Sequence, residues 1–291
     1  MTTPNWNILP KETIREFDEN GCLIVRRALD QKTVAHLLET CDRLIGSDKK
    51  TNRQTRENGY YDGFRNCIAL DDAFLPLLTH PTIFPMVVQF LGAYLHLTTS
   101  HLIYKHPDPP GTPDFARAPN WHRDYGRLNN DLQHAAPRGM LKCAYYLTDL
   151  TEPNAGATLV VPGSNLLRDP LDIPPNGDPE GAFEPHLEPG DCLIFENRTY
   201  HAGGVNLSDQ TRKVIMFGYG YRWLAPIDYR VQPQSLLDKL DPLSQYLLGE
   251  TLVKTEEYQT SGGETPLKPW CEQNNLPLVR PPVWQEDLAL A

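Results

Sequence analysis

The stretch Asn120-Trp121-His122-Arg123-Asp124-Tyr125-Gly126-Arg127 sets an imidazole and a carboxylate two residues apart. In a strand, side chains at i and i+2 leave on the same face. A neutral imidazole and a carboxylate on one face are two ligands for a divalent metal. A second imidazole would complete the two-histidine, one-carboxylate set with open positions that non-haem Fe(II) sites use. His201 is the candidate, in Glu196-Asn197-Arg198-Thr199-Tyr200-His201-Ala202-Gly203-Gly204. It follows an apolar strand, and the two glycines after it permit close approach of a ligand or another backbone. His106-x-Asp108 and His186-x-Glu188 share the spacing, but both lie in proline-rich stretches where face alternation does not hold. His36, His80, His96, His101 and His134 read as satisfied or surface imidazoles. Arg212 follows His201 across a presumed turn. Its planar, permanently charged fork matches a carboxylate. It marks either an acidic ligand behind the metal or a surface ion pair.

The elements that must position these residues are legible from their patterning. Pro10 to Glu19 predicts a helix with proline at its start. Asn20-Gly21 breaks it, and Cys22 to Leu29 predicts a short apolar strand. Asp30 caps a helix to about Ile45, with Val34, Leu37, Leu38, Cys41 and Leu44 on one face. Asp71 to Leu78 and Pro81 to Leu91 predict two more helices. Tyr94 to Lys105 is a long strand, and His106 to Asn120 a proline-rich loop. Strands follow at Met140–Leu147, Ala157–Val161, Asp191–Glu196, Thr199–Val205 and Arg212–Arg222, with turns at Asn154-Ala155-Gly156, Pro162-Gly163-Ser164 and Pro189-Gly190. Helices at both ends around short strands make a mainly β barrel or sandwich with helical flanks. One domain spans 1–291: a helical flank to about 93, a β core over about 94–224 and a helix-and-loop tail.

Composition removes other classes. The 291 residues are 40% hydrophobic and 22% charged, ordinary for a soluble chain. A net charge of −10 disfavours nucleic-acid and anionic-membrane binding. No apolar run reaches transmembrane length, and no secretion signal is visible at the N-terminus. Cys22, Cys41, Cys67, Cys143, Cys192 and Cys271 form no Cys-x-x-Cys pair, which suits reduced thiols in the cytoplasm. Ser164 lacks the Gly-x-Ser-x-Gly elbow of a nucleophile, and no phosphate loop or dinucleotide fingerprint is present.

Taken in order, His122-x-Asp124, Asn154-Ala155-Gly156-Ala157-Thr158-Leu159-Val160-Val161-Pro162-Gly163-Ser164, Pro189-Gly190-Asp191, His201 and Arg212 resemble the phytanoyl-CoA dioxygenase-like family of Fe(II)/2-oxoglutarate oxygenases. The start, Asn20-Gly21-Cys22-Leu23-Ile24-Val25 between two helices, is similar to it as well. The resemblance covers about Pro10 to Arg222. It implies a distorted double-stranded β-helix, a cupin-like jelly roll. It implies Fe(II) on His122, Asp124 and His201, with O2 and the co-substrate 2-oxoglutarate, whose distal carboxylate pairs with Arg212. It implies a further 2-oxoglutarate contact on the strand that ends at Tyr104 and Lys105, where one of the two either makes that contact or simply ends the strand. The implied reaction couples decarboxylation to succinate with oxidation of an unactivated C–H: hydroxylation, desaturation or oxidative rearrangement. Asp124 occupies the position that a small residue takes in related halogenases, which argues against halide chemistry.

The substrate side is marked less sharply. Gly59-Tyr60-Tyr61-Asp62-Gly63-Phe64 is either a lid that offers Tyr61 and Phe64 to a pocket or an irregular strand packing its rings. Tyr125 and Arg127 are placed to reach a pocket rim. Trp223 either lines the substrate side or closes the barrel end. Cys143 and Tyr145 read as core. These aromatics suit a bulky, partly apolar small molecule from secondary metabolism. An acyl-CoA substrate, or a non-catalytic jelly roll that only binds a small molecule, is the alternative.

Overall fold

Strand alternation sorts the protein into an outer and an inner layer. The computed structural model describes residues 7–55, 61–124, 137–250 and 265–277. Seven strands make one antiparallel sheet: β1 (Cys22–Val25), β7 (Cys192–Glu196), β5 (Met140–Tyr146), β9 (Arg212–Tyr221), β4 (Leu95–Lys105), β3 (Tyr61–Arg65) and β2 (Arg53–Thr55), in that order. A smaller sheet pairs β6 (Thr158–Val160) with β8 (His201–Gly203). Single bridges widen it, His122 to His201 and Val160 to Phe183. The two sheets face each other as a jelly roll.

On the large sheet one set of alternate residues packs outward. Leu102, Tyr104, Leu141, Cys143, Tyr145, Ile194, Ile215, Phe217 and Tyr219 share a core with the helices. Those helices are α1 (Lys11–Asn20), α2 (Gln31–Ile45), α3 (Leu75–Leu78), α4 (Phe84–Leu91), α5 (Gln234–Leu237), α6 (Pro242–Leu247) and α7 (Leu267–Gln273). The intervening residues Ile103, Ala144, Tyr146, Leu193, Phe195, Val214 and Met216 form a second, inner cluster. Cores on both faces explain why β4 is buried along its whole length.

Local rules account for most element ends. Asp30 Oδ1 accepts the Thr33 N–H at 2.7 Å and starts α2. Its buried stripe Val34, Leu37, Cys41 and Leu44 follows the helical period. Gly21, at φ 68°, ends α1 in the left-handed conformation. Some elements are shorter than their patterning suggests. β1 stops at Val25 because Asp191 accepts both the Arg27 N–H and an Arg26 guanidinium N–H, at 2.8 and 2.7 Å. The helix expected over Asp71 to Leu78 divides into a 3-10 turn at Asp72–Phe74, capped by Asp71, and α3. Among the described residues, no helix is long and apolar enough to cross a membrane.

Candidate metal centre

The expectation of a regular strand through His122 and Asp124 needs correction. His122 makes one isolated bridge, and Asp124 lies in the turn that follows. What brings the two side chains together is pairing with the segment that carries His201. The N–H of His122 donates to His201 O and the reverse, both at 3.0 Å, and the Asp124 N–H donates to Asn197 O at 2.9 Å. Arg123, between them, points the other way. Its Nη2 donates to Ser164 O at 2.8 Å, and its guanidinium lies 4.4 Å over the Tyr200 ring.

One ligand atom from each of His122, Asp124 and His201 lies within 4.8 Å of the others. His122 Nε2 is 4.0 Å from Asp124 Oδ1, and His201 Nε2 is 3.6 Å from Asp124 Oδ2. Each imidazole is oriented by its other nitrogen. His122 Nδ1 meets Asn120 O at 2.6 Å, and His201 Nδ1 meets Thr199 O at 3.0 Å. A carbonyl oxygen only accepts, so each Nδ1 carries a proton and Nε2 is the nitrogen that faces the metal position. Burial pushes the His201 imidazole down to about 4, against the pull of Asp124, so it is neutral near pH 7. Burial alone would raise Asp124; the Lys142 ammonium and the two imidazoles overcome it and hold the carboxyl well below the usual carboxylate range. Two imidazoles that turn Nε2 towards an ionised carboxylate fit a divalent metal as a donor set.

The turn before His201 is locked from several sides. Asn197 Oδ1 accepts the N–H groups of Gly139 and Met140, at 3.1 and 3.2 Å. Buried Glu196 pairs with Arg138 and Arg198. Gly203 and Gly204 serve backbone approach. A Cβ on Gly203 would lie 2.2 Å from Ala118 O, and one on Gly204 2.4 Å from Ala157 O.

The three residues sit in the wall of a cavity of about 330 Å³ between the sheets, together with Arg212, Tyr61 and Lys105. Arg212, 6% exposed, enters from the start of β9. Lys105 is ion-paired with Asp108. The Tyr61 hydroxyl is 2.6 Å from His101 Nε2. Three expected site residues lie elsewhere, and alternation or exposure is the reason. Tyr104 falls on the outward face of β4, where its hydroxyl donates to Asp42 Oδ1 at 2.6 Å. Phe64 falls on the outward face of β3, fully buried in the helix-side core. Trp223, 76% exposed, stacks on Tyr221 beside a different cavity. Tyr125 and Arg127 lie outside the described residues.

Arg65, Lys142 and Thr158 also line the cavity and escaped the sequence reading, and His101, read from sequence as a satisfied or surface imidazole, lines it too. Lys142 had a signal: it is the one charge in the apolar strand Met140-Leu141-Lys142-Cys143-Ala144-Tyr145-Tyr146. Its Nζ lies 2.8 Å from Asp124 Oδ2.

The phytanoyl-CoA dioxygenase family model matches residues 17–214. The protein belongs to this family, and it is a non-haem Fe(II)/2-oxoglutarate-dependent dioxygenase. Among characterised relatives, the dioxygenase andF of Emericella variicolor is 25% identical over 272 residues, covering 86% of this chain and 89% of its own. The dioxygenase cdmA of Talaromyces verruculosus is 24% identical, covering 84% of each chain. The solved structure of HygX from Streptomyces hygroscopicus, with nickel and 2-oxoglutarate bound, shares the fold at a TM-score of 0.61 and 16% identity, over 75% of this chain and 90% of that one.

Proposed function

We propose that His122, Asp124 and His201 hold Fe(II), that Arg212 anchors the distal carboxylate of 2-oxoglutarate, and that the enzyme oxidises a bulky, partly apolar natural product. The observation that carries this is the convergence of three ligand atoms within 4.8 Å in the wall of the cavity that also takes Arg212. When bound, iron and 2-oxoglutarate supply dioxygen activation coupled to decarboxylation to succinate. The chain's own residues do the rest. His122 and His201 present fixed Nε2 lone pairs, and Asp124 supplies the anionic ligand. Its carboxylate fills the place a halide would need, so the outcome is hydroxylation, desaturation or rearrangement. Ile103, Phe195 and Met216 give the cavity an apolar wall that excludes water and faces the substrate. Lys105 is the second residue near the co-substrate, and Tyr61 belongs to the substrate side.

Relatives support the substrate class. Named iron/alpha-ketoglutarate-dependent dioxygenases include ausO of Aspergillus calidoustus, 31% identical over 175 residues. Neighbours in fold include an epimerase with nogalamycin RO bound and HygX with hygromycin B bound. Six cysteines without a disulfide suit a reducing cytoplasm.

Anaerobic addition of Fe(II) and 2-oxoglutarate to the pure protein should give a visible charge-transfer band, and His201→Ala should remove it. A folded wild-type protein with no band refutes the assignment. Succinate release across a natural-product library then identifies the substrate.

A further inference from the structure

Lys142 is a charged cavity residue that the reading above leaves without a task. Its neighbours in β5, Leu141 and Cys143, point outward into the helix-side core, while Lys142 enters the cavity. There its ammonium lies 2.8 Å from Asp124 Oδ2, with the lysine side chain 17% exposed. Lys142 pairs with Gly218 on β9, and Arg212 stands at the beginning of the same strand. At about 3.4 Å per residue the two backbone positions are roughly 20 Å apart. Two long side chains shorten that gap from both ends. The wall between them carries Ala144, Met216, Tyr146 and Val214. The cavity thus has a cation at each end of an uncharged wall, a match for a short dicarboxylate.

The two ends differ in one respect. At the Lys142 end the cation shares Asp124 with the metal position. A divalent ion on Asp124 takes up that carboxylate's charge. The ammonium beside it is then under-neutralised, next to a second cation, and an anion bound there is attracted by both. We propose that Lys142 and the metal together form an anion pole for the carboxylate adjacent to the keto group of 2-oxoglutarate, with Arg212 as the opposite pole. This rests on the assignment of His122, Asp124 and His201 as the metal site.

Oxalate separates the poles, because it has the metal-binding carboxylates and lacks the distal one that Arg212 would engage. The full chain is loaded with Co(II) without oxygen and titrated with oxalate or 2-oxoglutarate, following the visible Co(II) spectrum. Lys142→Met keeps most of the side-chain length and removes the charge. It should weaken oxalate and 2-oxoglutarate alike by roughly tenfold or more, the scale of one hydrogen bond to a charged group. Lys142→Arg should recover most of the loss. Arg212→Met should weaken 2-oxoglutarate and leave oxalate as in the wild type. Circular dichroism checks folding, and if the methionine variant misfolds, Lys142→Gln against Lys142→Arg makes the same comparison. Wild-type oxalate affinity in the neutral variant overturns the proposal while the metal site stands. A wild-type protein that gives no Co(II) spectrum overturns both.

Discussion

Replacing Arg138 by methionine tests whether the buried charge cluster behind the site is a structural unit. The Arg138 guanidinium pairs with Glu196 and, at 2.7 Å, with Asp18 Oδ1, and it lies 4.9 Å over the Phe17 ring. Arg198 pairs with Glu196 at 2.7 Å. Two acids and two guanidinium groups make the cluster neutral. All four side chains are largely out of solvent, with Glu196 fully buried. Arg138→Met leaves it one negative charge in excess. Removing one partner from a buried pair costs about 3–5 kcal/mol. Arg198 still serves Glu196, which places the cost near the lower end, about 3 kcal/mol. That lowers the melting temperature by roughly 6–12 °C for a chain of this size. Glu196→Gln added to Arg138→Met restores neutrality, so the double variant should melt above the single one. The loss should also reach the metal site, because Glu196 adjoins Asn197, whose carbonyl holds the Asp124 N–H at 2.9 Å. Thermal unfolding, followed by circular dichroism, and Co(II) titration read both effects. An Arg138→Met protein that melts within about 1 °C of the wild type, or a double variant less stable than the single one, refutes the reasoning.

Three further outcomes follow from the same geometry. Gly203→Ala drives a Cβ to 2.2 Å from Ala118 O, so β8 must shift; it should cost about 1–3 kcal/mol and weaken Co(II) binding, read by denaturant unfolding and metal titration. Tyr104→Phe removes the hydrogen bond to the half-exposed Asp42 on the far side of the sheet; it should cost about 1 kcal/mol or less in unfolding and leave the 2-oxoglutarate KM unchanged. His96 is buried near Arg222, and its imidazole is pushed down from 6.5 to about 4, chiefly by burial. Between those values the unfolded chain takes a proton that the folded one refuses, so stability is full above about pH 6.5 and declines towards pH 4. His96→Asn should flatten that decline in melting curves recorded against pH.

The jelly roll and its helical flank were legible because both depend on local patterning: caps at Asp30 and Gly21, the α2 stripe, and apolar strands separated by turns. The ligand candidates were legible because few residue types bind metals. Their assembly was not a local matter. His122 and Asp124 converge through hydrogen bonds to residues of the His201 segment, which only the tertiary pairing of the small sheet creates. The same holds for faces. Reading β3 and β4 as strands established that neighbours alternate, but not which set turns inward. The helices covering one face decided that, sending Phe64 and Tyr104 outward and leaving Tyr61 and Lys105 in the cavity. Lys142 stood in the sequence as a lone charge in an apolar strand. Its meaning came from the folded distance to Asp124, which lies outside its strand and reaches it only through the tertiary fold.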